Sequence, residues 1–225
     1  MTIKITDHMF KYGGMKYFRG NAHLVELGCH GEKKDPIGPK AYLDVAGKIR
    51  ASHLADRPIK QGRPLSIDWD EVKRADLESG ISLKFFGMGA KGAASFDYAK
   101  AKSANLQLIN YSIAENPLKR CLNNDANTVR RSMFDEGNDA RVVSEIWIVV
   151  EAELATALDQ NFQHNGEFSY AGQSLQLDLS LGKTLNETIS IGAGTVFAYK
   201  MHKVKKWDKK TEQIEDMEAD YKGGS

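Results

Sequence analysis

Apolar and polar positions alternate along much of this chain, most persistently from Gly80 to Ile113. Ile81, Leu83 and Phe85 sit two apart there, with Ser82 and Lys84 between them. Glycines and alanines between Gly87 and Ala94 break the pattern. Phe96 and Tyr98 resume it, and Leu106 and Leu108 flank Gln107. A period of two is the signature of a strand. The segment therefore predicts a β-ribbon with an apolar face, a wet face and a middle that can bend. Such a ribbon can lie on a core or enter a bilayer.

The same pattern recurs downstream. Residues 142–158 open with β-branched and aromatic side chains and continue as alternation, which predicts a long strand. Within 174–181, Leu175, Leu177, Leu179 and Leu181 share one face, with Gln176, Asp178 and Ser180 on the other. Gly182 and Lys183 break the run before a strand over 184–191. A turn at 192–194 leads to a last strand over 195–204. Elsewhere the pattern changes. Residues 2–12 alternate weakly, as an edge strand or loose arm; 16–26 predict a short strand; glycines and prolines mark 28–39 and 56–64 as loops. In 41–54, Leu43, Ala46 and Ile49 have helical spacing. Lys48, Arg50 and His53 would crowd the other face of that helix, either as a solvated surface or as a basic face for anionic lipid headgroups. Residues 115–134 predict helical pieces, with Asn116 as cap, Pro117 at the first helical position, and Leu118, Cys121 and Leu122 on one face. Trp207 closes the expected folded part, and the charged residues 208–225 predict a helical or disordered tail. The sum is an α+β chain: a twisted, mostly antiparallel sheet with peripheral helices, over 1–207, followed by a short acidic C-terminal tail, 208–225.

Composition narrows the reading only a little. With 225 residues, 41% hydrophobic and 27% charged, the chain is an ordinary globular one. A net charge of +1 without an arginine-rich arm points away from nucleic acid. Two cysteines, Cys29 and Cys121, fit no metal pattern, and free thiols in a reducing compartment are the simplest expectation. No signal peptide and no run of transmembrane-helix length is apparent. The expectation is a cytoplasmic protein, which meets a membrane only by refolding or surface attachment.

Catalytic chemistry finds no motif. The histidines form no HExxH or HxH pair, and Cys29 beside His30 is adjacency, not nucleophile–base geometry. The run Gly87 to Gly92 lacks the GK[ST] ending of a phosphate loop. Asp68 and Asp70 around Trp69 read as a solvated acidic turn. The expectation is no enzyme, no cofactor and no metal.

The order of segments is more specific than any one of them. A ribbon with a Gly/Ala centre precedes small helices. Next come the strand Ile146-Trp147-Ile148-Val149-Val150-Glu151, a long amphipathic hairpin, and Thr188-Ile189-Ser190-Ile191-Gly192-Ala193-Gly194-Thr195-Val196-Phe197-Ala198-Tyr199-Lys200-Met201. This layout, over roughly residues 76 to 204, resembles the pore-forming N-terminal domain of gasdermins. In that family a strand of the form Leu-Tyr-Val-Val-Thr-Glu opens the second hairpin. In length the chain is similar to bacterial and fungal gasdermin-like proteins, which have no large C-terminal domain.

The resemblance implies two membrane-inserting hairpins. The first carries Ile81, Leu83, Phe85, Phe96, Tyr98, Leu106 and Leu108. The second carries Ile146, Ile148, Val150, Leu154, Leu175, Leu177, Leu179 and Leu181. A spanning strand takes about ten alternating residues, and its backbone is satisfied only in a closed barrel of many copies. The implied partners are lipids, anionic ones above all, and further copies of the chain in a ring. Lys48, Arg50, Lys84, Lys91, Lys100 and Lys102 are the implied headgroup contacts, at roughly 1 kcal/mol each. The tail would inhibit, released by a protease cutting at Lys205, Lys206, Lys209 or Lys210, or displaced by a sibling chain. The active protein would sit in the cell membrane and kill or permeabilise its cell. The competing expectation is a non-enzymatic β-rich interaction or assembly protein that never inserts.

Overall fold

Gly13 and Gly14 take positive φ angles of 58° and 82°, the left-handed pair that a two-residue hairpin turn demands and glycine supplies without strain. They join β2 (Met9–Tyr12) to β3 (Met15–Phe18), and β1 (Lys4–Ile5) pairs with the far side of β2. The computed structural model describes residues 3–5, 8–34, 40–54, 57–67, 83–86, 93–96, 107–150, 169–170 and 196–220.

After a 3-10 turn at Ala22–Leu24, β4 (Cys29–Lys34) and β5 (Tyr42–Lys48) form an antiparallel pair. The short strand predicted over 16–26 is thus confined to its first residues. The loop predicted over 28–39 is corrected too, since 29–34 are strand. A Cβ on Gly31 would lie 1.9 Å from the Asp44 carbonyl oxygen, so this glycine permits close strand approach and does not mark a turn. The helix predicted over 41–54 is also overturned. Leu43 is buried, Asp44 exposed, Val45 half-buried and Ala46 exposed, a period of two. Only Ala51–Leu54 is helical (α1). Helical spacing was present, but the hydrogen-bonding edge of β4 outweighs a weak stripe.

Strands β6 (Ile59–Gln61) and β7 (Leu65–Ser66) come next, the first inside the predicted loop over 56–64. The ribbon at the centre of the sequence yields β8 (Leu83–Phe86) paired with β9 (Ala93–Phe96), then β10 (Gln107–Ile113). The helical pieces are α2 (Glu115–Asn124) and α3 (Asn127–Glu136), followed by a 3-10 turn at Gly137–Asp139. Helix α2 begins at Glu115 with Ala114 as its cap, so neither Asn116 nor Pro117 holds its expected position. Pro117 remains in the first turn, whose N–H groups lack intrahelical acceptors and where proline costs little.

The remaining strands are β11 (Ala140–Val150), β12 (Ser169–Tyr170), β13 (Val196–Asp208) and β14 (Gln213–Asp220). The tail expected to be helical or disordered is therefore strand over 213–220. Its apolar Ile214 and Met217 sit three apart, as in a helix. Register shifts flanking Lys206 in the β13–β14 pair reconcile that spacing with a strand.

Apart from the β8–β9 ladder, the described strands belong to one curled antiparallel sheet, ordered β1-β2-β3-β13-β11-β10-β6-β12. Strand β14 pairs with β13, β4 pairs with β11 and β5, and β7 pairs with β10. The molecule is thus a mixed α/β protein dominated by this sheet. Strand β11 has two buried faces. Ile146 and Ile148 join a core with Leu118, Cys121 and Leu122 of α2 and with Ile214 and Met217. Trp147 and Val149 join a second core with Phe10, Tyr17, Leu108 and Phe197. Burial on both faces explains why this strand reads as a continuous apolar run, and each such side chain contributes roughly 1.5–3 kcal/mol.

Candidate functional site

Four neighbouring strands, in the order β7-β10-β11-β13, end or begin at one edge of the sheet. Ser66 lies opposite Gln107, Gln107 opposite Val150, and Ile148 opposite Val196. All three pairings are antiparallel, so chain direction alternates across the edge. Residues 68–106 connect β7 to β10, and residues 151–195 connect β11 to β13. Both segments follow this edge in sequence, and within the second Ser169–Tyr170 pairs as β12 with β6 in the same sheet.

An aromatic cluster stands directly behind that edge. The Trp147 indole meets Phe10, Tyr12 and Tyr17 edge-on, with ring centroids 5.5, 5.4 and 5.8 Å away. Phe197 meets Phe10 at 5.5 Å, and the Arg19 guanidinium lies 4.3 Å over the Phe197 ring. Edge-on pairs of this kind add about 0.5–1.5 kcal/mol each beyond burial. Glu145 draws the same strands together: it accepts from Tyr17 Oη at 2.9 Å and Asn110 Nδ2 at 2.7 Å, with Lys200 Nζ at 3.6 Å. The N-terminal ribbon is thereby bound to the roots of both connecting segments.

The opposite end of β13 carries the acidic strand β14. Asp220 is buried between two cations: its Oδ2 accepts from Lys33 Nζ at 3.0 Å and from Arg141 Nε at 2.6 Å. Burial alone would raise the Asp220 carboxyl. The hydrogen bonds from Arg141 and Lys33 outweigh it and hold the group below the usual aspartate value. Further along, Lys203 pairs with Glu218 at 2.7 Å, Lys205 with Asp216 at 3.2 Å, and Lys206 with Glu215. Helix α2 also grips the strand. Asn123 accepts from the Ile214 N–H at 2.9 Å and donates to its carbonyl at 3.0 Å, and Lys119 donates to the Glu215 carbonyl.

Beside this strand His202 is buried, its Nδ1 sharing a hydrogen bond of 2.7 Å with Ser144 Oγ. Burial, reinforced by Lys200, lowers its pKa to about 4. Glu115 stands 3.5 Å from Nε2 and favours the charged ring, but its side chain is 39% exposed and screened by water, so desolvation prevails. Burial also raises the thiols of Cys29 and Cys121, the latter to about 11. Both are free. Among the described residues, no group of side chains could hold a metal ion, and no helix is long and apolar enough to cross a membrane.

The residues singled out in sequence fall in several places. Leu83, Phe85, Lys84 and Phe96 lie in the β8–β9 ladder, with Leu83 opposite Phe96. Leu108, Ile146 and Ile148 are core residues of the sheet, 1%, 0% and 2% exposed, and Val150 is at the end of β11. Ile81, Tyr98, Leu106, Leu154, Leu175, Leu177, Leu179, Leu181, Lys91, Lys100 and Lys102 lie outside the described residues. Lys48 and Arg50 do not form a helical basic face. Lys48 ends β5 in an ion pair with Glu26, and Arg50 is exposed just before α1. Lys205 and Lys206 are inside β13, whereas Lys209 and Lys210 are exposed in the turn before β14. Sequence patterning does not single out Lys33, Arg141 and Asp220. Asp220 is one of several acids in the charged tail and Lys33 sits in a run that reads as loop, so nothing in the sequence brings them to Arg141.

No family model, no curated protein and no solved structure matches the chain.

Proposed function

We propose that the chain is a gasdermin-like pore-forming protein. On activation its two connecting segments extend as amphipathic β-hairpins, insert into an anionic membrane, and close a ring with further copies. The observation that carries this reading is one sheet edge, where Ser66, Gln107 and Val150 share a row and Val196 starts two residues further in, opposite Ile148. It belongs to four adjacent strands of alternating direction, and both segments rich in alternation follow it in sequence. Hairpins extended from such roots would continue one antiparallel sheet without a crossover. Each segment is long enough for two spanning strands of about 9–11 residues and a turn. Barrel closure between copies would satisfy the outer edges.

In the same reading the acidic strand β14 restrains the resting form, and the exposed turn at Lys209 and Lys210 is where a protease would cut. The resulting pore would permeabilise the cell's own membrane.

Dye release from liposomes of mixed phosphatidylcholine and phosphatidylserine tests the proposal. The full chain, treated with a lysine-specific protease, is expected to leak them. Leu177→Asp or Leu179→Asp should abolish leakage while solubility persists, since a charge on the lipid face of a spanning strand costs about 2–4 kcal/mol. Intact liposomes under every treatment would refute pore formation. Leakage unchanged by either aspartate would remove those positions from lipid contact.

A further inference from the structure

The N-terminal ribbon carries a row of like charges. Lys4 lies opposite Lys11, and Lys11 opposite Lys16, so three lysines cross β1, β2 and β3 at one register. The next row, Ile5, Phe10 and Tyr17, is buried in the aromatic core. Side chains alternate along a strand, so the lysines occupy the ribbon's other face; Lys4 is exposed and the other two are half-exposed. Like charges directly opposite one another destabilise an antiparallel pair. Elsewhere the described surface lysines tend to be neutralised, as in Lys34 with Glu32, Lys48 with Glu26 and Lys203 with Glu218. No described carboxylate pairs with Lys4, Lys11 or Lys16. The row retains an electrostatic cost that an external anion would relieve.

The ribbon's end specifies which anion. One residue beyond the Lys11–Lys16 pair, Tyr12 faces Met15 across the Gly13–Gly14 turn. Met15, 37% exposed, is one of two exposed large apolar side chains among the described residues. A soluble acidic partner would neutralise the lysines and leave Met15 in water. A bilayer met by the hairpin end takes both: Met15, on the face opposite the lysines, enters the boundary region while Tyr12 stays against Trp147, and the lysines about 3.3 Å behind reach headgroup phosphates. We propose that the Lys4–Lys11–Lys16 row is a docking surface for an anionic membrane face, approached with the Tyr12–Met15 tip foremost. It names the lipid-contacting surface that the pore-forming reading requires, and rests on that reading only for the insertion that comes after binding.

Co-sedimentation of the full chain with vesicles tests this, using phosphatidylcholine alone and an equal mixture with phosphatidylserine. The parent should prefer the anionic vesicles and lose them in high salt. Replacing all three lysines by glutamine should weaken partitioning about a hundredfold, and replacing all three by arginine should preserve it. Met15→Ser should weaken it about tenfold. The triple glutamine variant should melt no lower than the parent, because it removes only repulsion. Binding unaffected by the glutamines, or no preference for phosphatidylserine, would overturn the proposal. So would parent self-association that the glutamines abolish, which would make a second copy the partner. Equally tight binding of inorganic polyphosphate, indifferent to Met15→Ser, would assign the row to a soluble anion. Vesicles that bind the parent yet retain dye would remove the pore-forming reading and leave the docking surface standing. Vesicles that leak alike with the parent and the triple variant would do the reverse.

Discussion

Asp220 and His202 show how single buried groups set this molecule's tolerance of acid, in two separate windows. The His202 ring titrates near 6.5 when unfolded and about 4 in the sheet. Between those values the unfolded chain binds a proton that the folded chain refuses. Stability is therefore full above the unfolded value and falls as pH drops from 6.5 toward 4, by about 3 kcal/mol in all. His30, also lowered by burial, adds to the same trend. Asp220 also has a lowered folded value, but its window lies further into acid. Its contribution persists above the unfolded aspartate value and is lost only as pH falls through the folded one. Chemical denaturation at pH 6.5, 5 and 4 should show the first loss, and His202→Gln should flatten much of the slope. A slope identical in that variant would place the acid sensitivity elsewhere. Asp220→Ala has a more drastic expectation at neutral pH. It strands Lys33 and Arg141, 1% and 7% exposed, without their carboxylate. Breaking a buried pair in this way costs about 3–5 kcal/mol, which for a chain of this size lowers the melting temperature on the order of 10 °C.

At the scale of elements, legibility tracks the reach of the determining interactions. Two kinds of pattern can be read directly: the period-two ladder Leu83–Phe96 with its glycine-containing centre, and the continuous β-branched and aromatic run at Val142–Val150. So can α2, whose Leu118, Cys121 and Leu122 carry their own stripe. The misread elements are those whose partners lie far away in sequence. Strand β4 looks like loop because Gly31 and Lys33 are ordinary loop residues until Asp44 approaches the one and Asp220 neutralises the other. Strand β5 looks helical because Leu43, Ala46 and Ile49 have helical spacing, while the strand face is carried only by Leu43 and the half-buried Val45. Strand β14 looks like a free acidic tail because its carboxylates are matched by lysines of β13, which only the pairing reveals. The lysine row is invisible for the same reason: Lys4, Lys11 and Lys16 have no spacing in common, and strand register alone aligns them.

For the whole molecule, the arrangement separates what would move from what would hold. The roots of the two connecting segments are anchored by Leu108, Ile146, Ile148 and Trp147, all in the cores. A transition that melted these would forfeit several side chains' burial at roughly 1.5–3 kcal/mol each. Extension from the edge, with the roots kept, is cheaper. Strand β14 pairs with the opposite part of β13, places Asp220 between Lys33 and Arg141, and buries Ile214 and Met217 in the core that also holds Ile146 and Ile148, so its departure opens one side of that core while the β10–β11–β13 ladders at the roots stay paired. This makes its departure separable from the extension it is proposed to restrain. Lys203→Cys with Glu218→Cys places two thiols directly opposite each other on β13 and β14, at a separation that a cross-strand disulfide accommodates. The native Cys29 and Cys121 are buried and their thiols held protonated, which keeps them out of the exchange. After protease treatment, the oxidised double variant should leak liposomes at least tenfold more slowly than the parent, and reductant should restore the parental rate. Equal leakage in both redox states would mean that β14 stays paired while the membrane is breached, and the restraint would then have to lie in the aromatic clamp around Trp147.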